Sequence, residues 1–411
     1  MRVGILGGGI SGLSIARLLK ENFSVEILES KSEAGGIART RSVAGYTYHP
    51  VGGHCFNSKH RSVMEFVYEH VLKQEEWNII KRNAGIKLHG KDLTYPIEYS
   101  VKEIAGYDPG LAASIIADFS TKKTTNDSKN LEEWFRQKFG DTLSELYFLP
   151  YNKKIWNMEP SEINPDWVEG KLPIPDRESF FRSLGKGEVD EMTHRYFLYP
   201  KTNNQNTFID KLAEKLPIVY NYQVLSIEYD KNTNKWQVNG EKAYDLLVST
   251  LPLNLLPSLI SNTPEVIIDT AKKLKYNKVT TMLWTSEKTE RTWTYIPDQH
   301  SIIHRYIHIG NYFSPRQNIT ITESIGTRTY EEMRIAGGQD PFLIKPLDFH
   351  VSNHAYVVFD KEYKEATKRL KDYFSRLGIH LLGRFGEWDY FNMDECINRS
   401  MNLAMKLKKG F

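Results

Sequence analysis

The chain has 411 residues but only two cysteines, Cys55 and Cys396. Two thiols build no disulfide framework, and such scarcity fits a reducing cytoplasm. No apolar run reaches the roughly 18 residues of a spanning helix. The opening "MRVGILGGG" lacks the apolar core and small-residue cleavage site of a signal peptide. Charge of one sign is also scarce. The formal balance is +3 without any block of like charges, which argues against nucleic acid as a partner. The lysines of "KLKKGF" read as a solvated end. The histidines are scattered without zinc-ligand spacing, so no metal site is expected. There is no internal repeat, no low-complexity segment, and no motif with a carboxylate pair or nucleophile triad.

What is present is ample material for a core: 40% hydrophobic and 12% aromatic residues. The length predicts two or three domains. The most informative stretch is "RVGILGGGISGLSIARLLKENFSVEILES". Residues 2–6 predict a strand. "SGLSIARLLKE" then predicts a helix, with Leu13, Ile15, Ala16, Leu18 and Leu19 at helical spacing. "FSVEILES" predicts a second strand ending at Glu29, 22 residues after Gly7. Gly7, Gly9 and Gly12 form G-x-G-x-x-G between strand and helix, the pattern of a dinucleotide-binding turn. Gly7 allows the tight turn, and Gly9 lets backbone approach a pyrophosphate. Gly12 lets the helix, with Ser11 in its first turn, pack close to the strand. The helix N-terminus favours the anion. Glu29 can accept from a ribose hydroxyl pair. A Rossmann-like α/β domain is expected.

"KSEAGGIARTRS" follows, with Gly35, Gly36 and Arg39. It resembles the glycine-pair-plus-arginine segment of FAD enzymes of the amine oxidase and protoporphyrinogen oxidase type. The resemblance implies FAD, with Gly36 and Arg39 among its contacts. "VYNYQVLSIEYDKNTNKWQVNGEKAYDLLVSTLP" reads as a hairpin and a buried strand. It places Val224 where such enzymes make a backbone contact to adenine.

A second glycine pair stands in "YHPVGGHCFNS". Gly52, Gly53 and His54 resemble the Gly-Gly-His or Gly-Pro-His segment of the UDP-galactopyranose mutase family, where this loop lies beside the flavin's reactive nitrogen, N5. "LEEWFRQKFGDTLSELYFLPYNKKIWNMEP" predicts a helix over Leu131–Phe139 ended by Gly140. Asp141 is a candidate cap for the next helix, and Pro150 a break or kink. Its "PYNKKIW" resembles the family's nucleotide-site segment, which implies substrate contacts for Phe148, Tyr151, Asn152 and Trp156. "WTYIPDQHSIIHRYIHIGNYFSP" resembles the stretch with a diphosphate-binding arginine, which maps to Arg305, with Tyr312 nearby. A guanidinium fork suits a diphosphate. "LLGRFGEWDYFNMDECINRSMNLAMKL" resembles the C-terminal signature through Gly383, Arg384, Gly386, Trp388, Tyr390 and Asn392. There Asn392 is a candidate N-cap of a helix whose first N–H groups, with Met393, face the flavin, and Tyr390 reaches substrate phosphate.

The resemblance implies a flavin-dependent mutase that interconverts pyranose and furanose forms of a nucleotide sugar. In that family, N5 of reduced FAD attacks the anomeric carbon and expels the nucleoside diphosphate. The resulting adduct opens, and a different hydroxyl recloses the ring. His54, Arg305 and Tyr390 carry over as the catalytic set. An electron donor or reductase is implied, and a homo-oligomer is possible. Two departures concern the substrate. "EGKLPIPDRESFFRSLGKGEVDEM" offers Lys171, Arg177 and Arg182 for a second diphosphate cation without aligning any, Lys171 being the one carried forward. "YPKTNNQNTF" replaces a glycine pair by Lys201, Asn203 and Asn204. The sugar could be galactose, acetamidogalactose or a deoxy-sugar, on UDP or dTDP.

The expected architecture is an FAD domain in three pieces (1–80, 200–260 and 372–411), a helical substrate domain (100–170) and an antiparallel sheet (277–335). "GIKLHGKDLTYPI" and "HRYFLYP" are expected to join that sheet. The rival readings are a flavin oxidase or desaturase on the same fold, and a flavin-binding interaction module.

Overall fold

The computed structural model describes residues 1–121, 127–168, 172, 174, 176–185 and 195–410. Arg2–Leu6 lies at the centre of a five-stranded parallel sheet. Ser24–Leu28 and Ile218–Val219 extend it on one side, and Leu246–Ser249 and Ile379–Leu381 on the other. Val3 pairs with Val25 and with Leu246, so strands far apart in sequence meet in register. Both faces are covered, which is why these strands are near-continuous apolar runs rather than alternating ones. Val3, Ile5, Leu6, Ile27, Leu247 and Val248 are all fully buried. The helices Ile10–Leu19 and Met393–Lys409 pack on each other, tied by Ser400 Oγ donating to the Ser11 carbonyl at 3.2 Å. A three-stranded antiparallel meander, Ile227–Asp230, Lys235–Val238 and Lys242–Tyr244, leads into the Leu246–Ser249 strand.

The helical unit behaves differently from expectation at two residues. Leu131–Phe139 is a helix, capped by the Asn130 side chain and ended by Gly140 at φ +86°. Gly140, not Asp141, then occupies the N-cap of Asp141–Leu143; the Asp141 carboxylate is drawn instead to Arg136 at 2.8 Å. Pro150 does not break the chain. A π-helical turn, Ser144–Phe148, precedes it and runs directly into the helix Leu149–Trp156. Pro150 falls in the first turn of that helix, where a missing N–H costs little, and the wider turn ahead of it leaves room for the ring.

The second sheet has seven strands, in the order Leu343–Val357, Tyr276–Ser286, Ile319–Ile325, Ile303–Ile307, Trp293–Tyr295, Ala84–Leu88 and Lys91–Thr94. All neighbours are antiparallel except Trp293–Tyr295 with Ala84–Leu88. The expectation for "HRYFLYP" fails here. Tyr196–Pro200 pairs with Trp77–Lys81 in a separate two-stranded ribbon. Its alternating aromatics explain this. Phe197 and Tyr199 pack edge-on against neighbouring rings, with Phe197 4.9 Å from Tyr312 and 5.2 Å from Trp293 between ring centres, and Tyr199 5.6 Å from Tyr312. The long edge strand Leu343–Val357 lies beyond the expected limits of the sheet. No helix among the described residues is long and apolar enough to cross a membrane, and none of their His, Cys, Asp and Glu side chains form a metal-holding group.

Candidate active site

The first glycine turn has the geometry of an anion cradle. Gly7 takes φ +101°, a conformation that needs glycine. A Cβ on Gly12 would lie 2.0 Å from the Gly7 carbonyl oxygen, so helix and strand touch with no room for a side chain. Gly9 is the opposite case. A Cβ there meets no atom within 4 Å, and Gly9 caps the helix Ile10–Leu19 without any side-chain hydrogen bond or acid in its first turn. The helix N–H groups therefore remain available, beside open space. The Glu29 carboxylate accepts from Gly8 N at 2.7 Å and Lys31 N at 2.8 Å, which fixes it at the end of its strand. The glycine pair 35–36 lies along this turn: Gly35 N donates to the Gly8 carbonyl at 2.8 Å. These features fit a dinucleotide, and Gly36 sits within them at φ +56°.

Arg39 is placed otherwise than as a free cofactor contact. Its guanidinium is engaged by Glu33 at 2.6 Å, Asp210 at 3.0 Å and the Ala34 carbonyl at 2.9 Å. Val224 is buried in the core. Asn392 is the N-cap residue of Met393–Lys409, but its side chain makes no cap bond. Ser11 and Gly383 are in near contact, since a Cβ on Gly383 would meet Ser11 Oγ at 2.2 Å. That crowding, together with φ +84°, is the physical reason for the glycine opening the C-terminal signature.

The second glycine pair sits on the seven-stranded sheet. Pro50 anchors it by accepting from Thr281 Oγ1 at 2.7 Å. A Cβ on Gly52, which has φ +65°, would lie 3.4 Å from Arg305 Nη2 and 3.5 Å from Glu323 Oε2. One on Gly53 would lie 2.7 Å from Ile307 Cγ2 and 3.5 Å from the Tyr312 hydroxyl. Arg305 pairs with fully buried Glu323 at 2.7 Å and donates to the Tyr356 hydroxyl, which itself donates to Glu323 at 2.8 Å. His304 Nε2 lies 3.0 Å from the same carboxylate. Tyr356 stacks on Tyr390 at 5.9 Å, and the Arg384 guanidinium covers Tyr390 at 4.4 Å and Tyr356 at 5.5 Å. Sequence reasoning missed Glu323 and Tyr356. A lone acid inside the apolar run "NITITESIG" is the available signal for the first; the second has none.

Burial, reinforced by the Arg384 and Arg305 charges, pushes the His54 imidazole down to about 4, so it is neutral at neutral pH. Burial pushes the Cys55 thiol up to about 12. For Glu323, burial would raise the carboxyl, but Arg305 and His304 outweigh it and hold it well below the usual carboxylate range. Around this loop, His54 Nε2, Arg305 Nε, the Tyr312 hydroxyl, Glu323 Oε2 and Arg384 Nε are all buried without a hydrogen-bond partner. Buried polar atoms are nearly always bonded, so their gathering in one place makes this loop the candidate ligand site.

The aromatic residues divide. Tyr151 reaches the site: it lies 5.7 Å from Tyr295, which is cross-strand from Arg305. Trp156 packs on Trp167 at 4.7 Å and Tyr356 at 6.5 Å, at the edge of the cluster. Phe148 is a buried residue whose ring lies 4.1 Å from that of Phe139 and 4.8 Å from that of Phe135. Asn152 commits its amide within its own helix, donating to the Phe148 carbonyl at 2.8 Å and accepting from Trp156 Nε1 at 3.1 Å. Arg177 and Arg182 are exposed on the helix Arg177–Ser183. Lys171 lies outside the described residues.

A Rossmann-like nucleotide domain joined to an antiparallel sheet, with a loop held between them, defines the flavoprotein class. Residues 5–69 match the NAD(P)-binding Rossmann-like domain family. A dTDP-fucopyranose mutase from Escherichia coli is 32% identical over 181 residues, 42% of this chain and 46% of that protein. The stretch matched is thus about half the length of that relative. A UDP-galactopyranose mutase from Mycoplasma genitalium is 23% identical across 98% of this chain and 94% of its own. Among solved structures, a reduced UDP-galactopyranose mutase has a TM-score of 0.86 at 19% identity, covering 100% of this chain and 96% of its own. A putative protoporphyrinogen oxidase from Exiguobacterium has 0.77 at 16%, covering 100% and 99%. The resemblance to the UDP-galactopyranose mutase family is thereby shown, and the same matches support FAD as cofactor.

Proposed function

We propose that the protein interconverts the pyranose and furanose forms of a sugar carried on UDP or dTDP, with reduced FAD bound. The observation that carries this reading is the set of unpartnered buried donors and acceptors on the second glycine loop and the sheet facing it. Reduced FAD, held on the Gly7–Gly9–Gly12 turn, would supply a nucleophile for the anomeric carbon, with the nucleoside diphosphate as the group that leaves and returns. The remaining tasks fall to the chain. Arg305 binds the diphosphate, and Glu323 and Tyr356 hold its fork in one orientation. Tyr390, braced by Arg384, adds a phenolic donor. His54, neutral, offers its free Nε2 beside the reacting groups without adding charge. Tyr151 and Tyr295 wall the site and exclude water. Such a reaction leaves substrate and product at one oxidation state, so it needs an electron donor only to reach the active form. Incubating the reduced protein with UDP- and dTDP-linked sugars and reading furanose signals by NMR tests it. Absence of furanose product from every sugar overturns the reading.

A further inference from the structure

Arg305 cannot by itself balance a diphosphate, because Glu323 already neutralises it at 2.7 Å. A nucleoside diphosphate brings at least two negative charges into a site whose acid, Glu323, is fully buried. A further guanidinium reaches this wall from outside the Arg305–Arg384 group, that of Arg82, which bonds Tyr295. Its backbone is pinned on both sides: Arg82 N donates to the Arg195 carbonyl at 2.8 Å, and Asn83 N to Thr292 Oγ1 at 2.9 Å. Its side chain runs between Tyr95 and Trp293, each ring centre 5.4 Å from Cζ, and Nη2 donates to the Tyr295 hydroxyl at 2.9 Å. Nε is buried with no partner. Among the described residues no carboxylate pairs with it; its neighbours are phenols, an indole and the Cys55 thiol.

A buried guanidinium without a counter-ion is costly, and the aromatic faces offset that only in part. Tyr295 links it to the site already described. Its hydroxyl takes the Arg82 bond, its ring touches Tyr151 at 5.7 Å, and its residue stands opposite Arg305 in the sheet. Arg82 and Arg305 thus flank one tyrosine on the same wall.

We propose that Arg82, which has no carboxylate partner among the described residues, receives the diphosphate of the nucleotide sugar together with Arg305. This rests on the proposed function, and it assigns the charge-balancing role to a residue no motif singled out.

The test uses the FAD-loaded protein and isothermal calorimetry with UDP and dTDP, so that it does not depend on turnover. Arg82→Met keeps the stem between the rings and removes the charge. Arg82→Gln, which can still donate to Tyr295, serves if the first variant fails to fold. Losing a charge-assisted pair predicts a drop in UDP affinity of about ten- to a hundredfold, and a shallower salt dependence, with flavin content and melting temperature near wild type. Unchanged UDP and dTDP affinity in a folded variant overturns the proposal while leaving the mutase reading intact. A loss seen only with sugars that carry their own carboxylate also overturns it, reassigning Arg82 to the sugar. Failure of the wild-type protein to bind either diphosphate overturns both.

Discussion

Glu323 and Arg305 form an ion pair at 2.7 Å in which the carboxylate is fully buried and the guanidinium faces the second glycine loop. Breaking a buried pair leaves one charge unpaired, at a cost of about 3–5 kcal/mol. Glu323→Gln and Arg305→Met are each expected to lower stability strongly. The double variant should recover a large part, because it removes both charges together. Denaturant unfolding of all four proteins measures the coupling; purely additive losses would show that the pair does not act as a unit.

Gly9 and Gly12 separate cofactor binding from folding. Gly12→Ala drives a Cβ into backbone 2.0 Å away and should prevent stable folding. Gly9→Ala meets nothing in the protein and has φ −75°, which any residue adopts. It should fold with near-normal stability yet retain FAD poorly. Flavin absorbance per protein, set beside melting temperature, checks this. Full FAD retention by Gly9→Ala would remove the pyrophosphate from that position.

Gly53→Ala is expected to impair turnover, and the structure identifies a structural contribution as well. The new Cβ would crowd Ile307 Cγ2 at 2.7 Å. Pairing Gly53→Ala with Ile307→Leu, which removes the Cγ2 branch at near-constant volume, gives back space on the sheet side. If stability returns and turnover does not, the loop's approach to the cofactor is what the glycine protects.

Acid should destabilise the protein from about pH 6.5 downward. His54 is held down to about 4 and His308 to about 3, with burial the main cause in both, and His49 is also lowered by burial. Unfolded histidines titrate near 6.5, so between about pH 4 and 6.5 the unfolded chain binds more protons. Stability therefore rises with pH through that window and levels off above it. Each buried histidine adds up to about 1.4 kcal/mol per pH unit there. His308→Gln should flatten the acid limb of a melting-temperature profile; an unchanged slope would mean that His308 titrates normally.

The first thirty residues were legible because turn, helix and strand each carried their own local signal, and the glycines meet the crowding that the pattern predicts. Gly140 was legible as a stop, but Asp141 and Pro150 were not. Cap position and π-turn depend on a continuous helix that single residues do not announce. The motif names Phe148 and Asn152 but does not reveal which way the helix turns them: Phe148 packs beside Phe135 and Phe139, and Asn152 bonds within its own helix. Glu323, Tyr356 and Arg82 escaped for a related reason. Their roles come from cross-strand neighbours that only the registered sheet brings together.

Under the proposed function the flavin acts as a nucleophile in an isomerisation and not as a hydride acceptor. The most direct measurement incubates nucleotide sugar with the protein in two states, dithionite-reduced without oxygen and fully oxidised with an electron acceptor. Furanose formation and acceptor consumption are followed together. Furanose product is expected only from the reduced protein, lost on air oxidation, with no acceptor consumed. Stoichiometric acceptor consumption by the oxidised protein, without furanose from the reduced one, would contradict it and favour the oxidase reading.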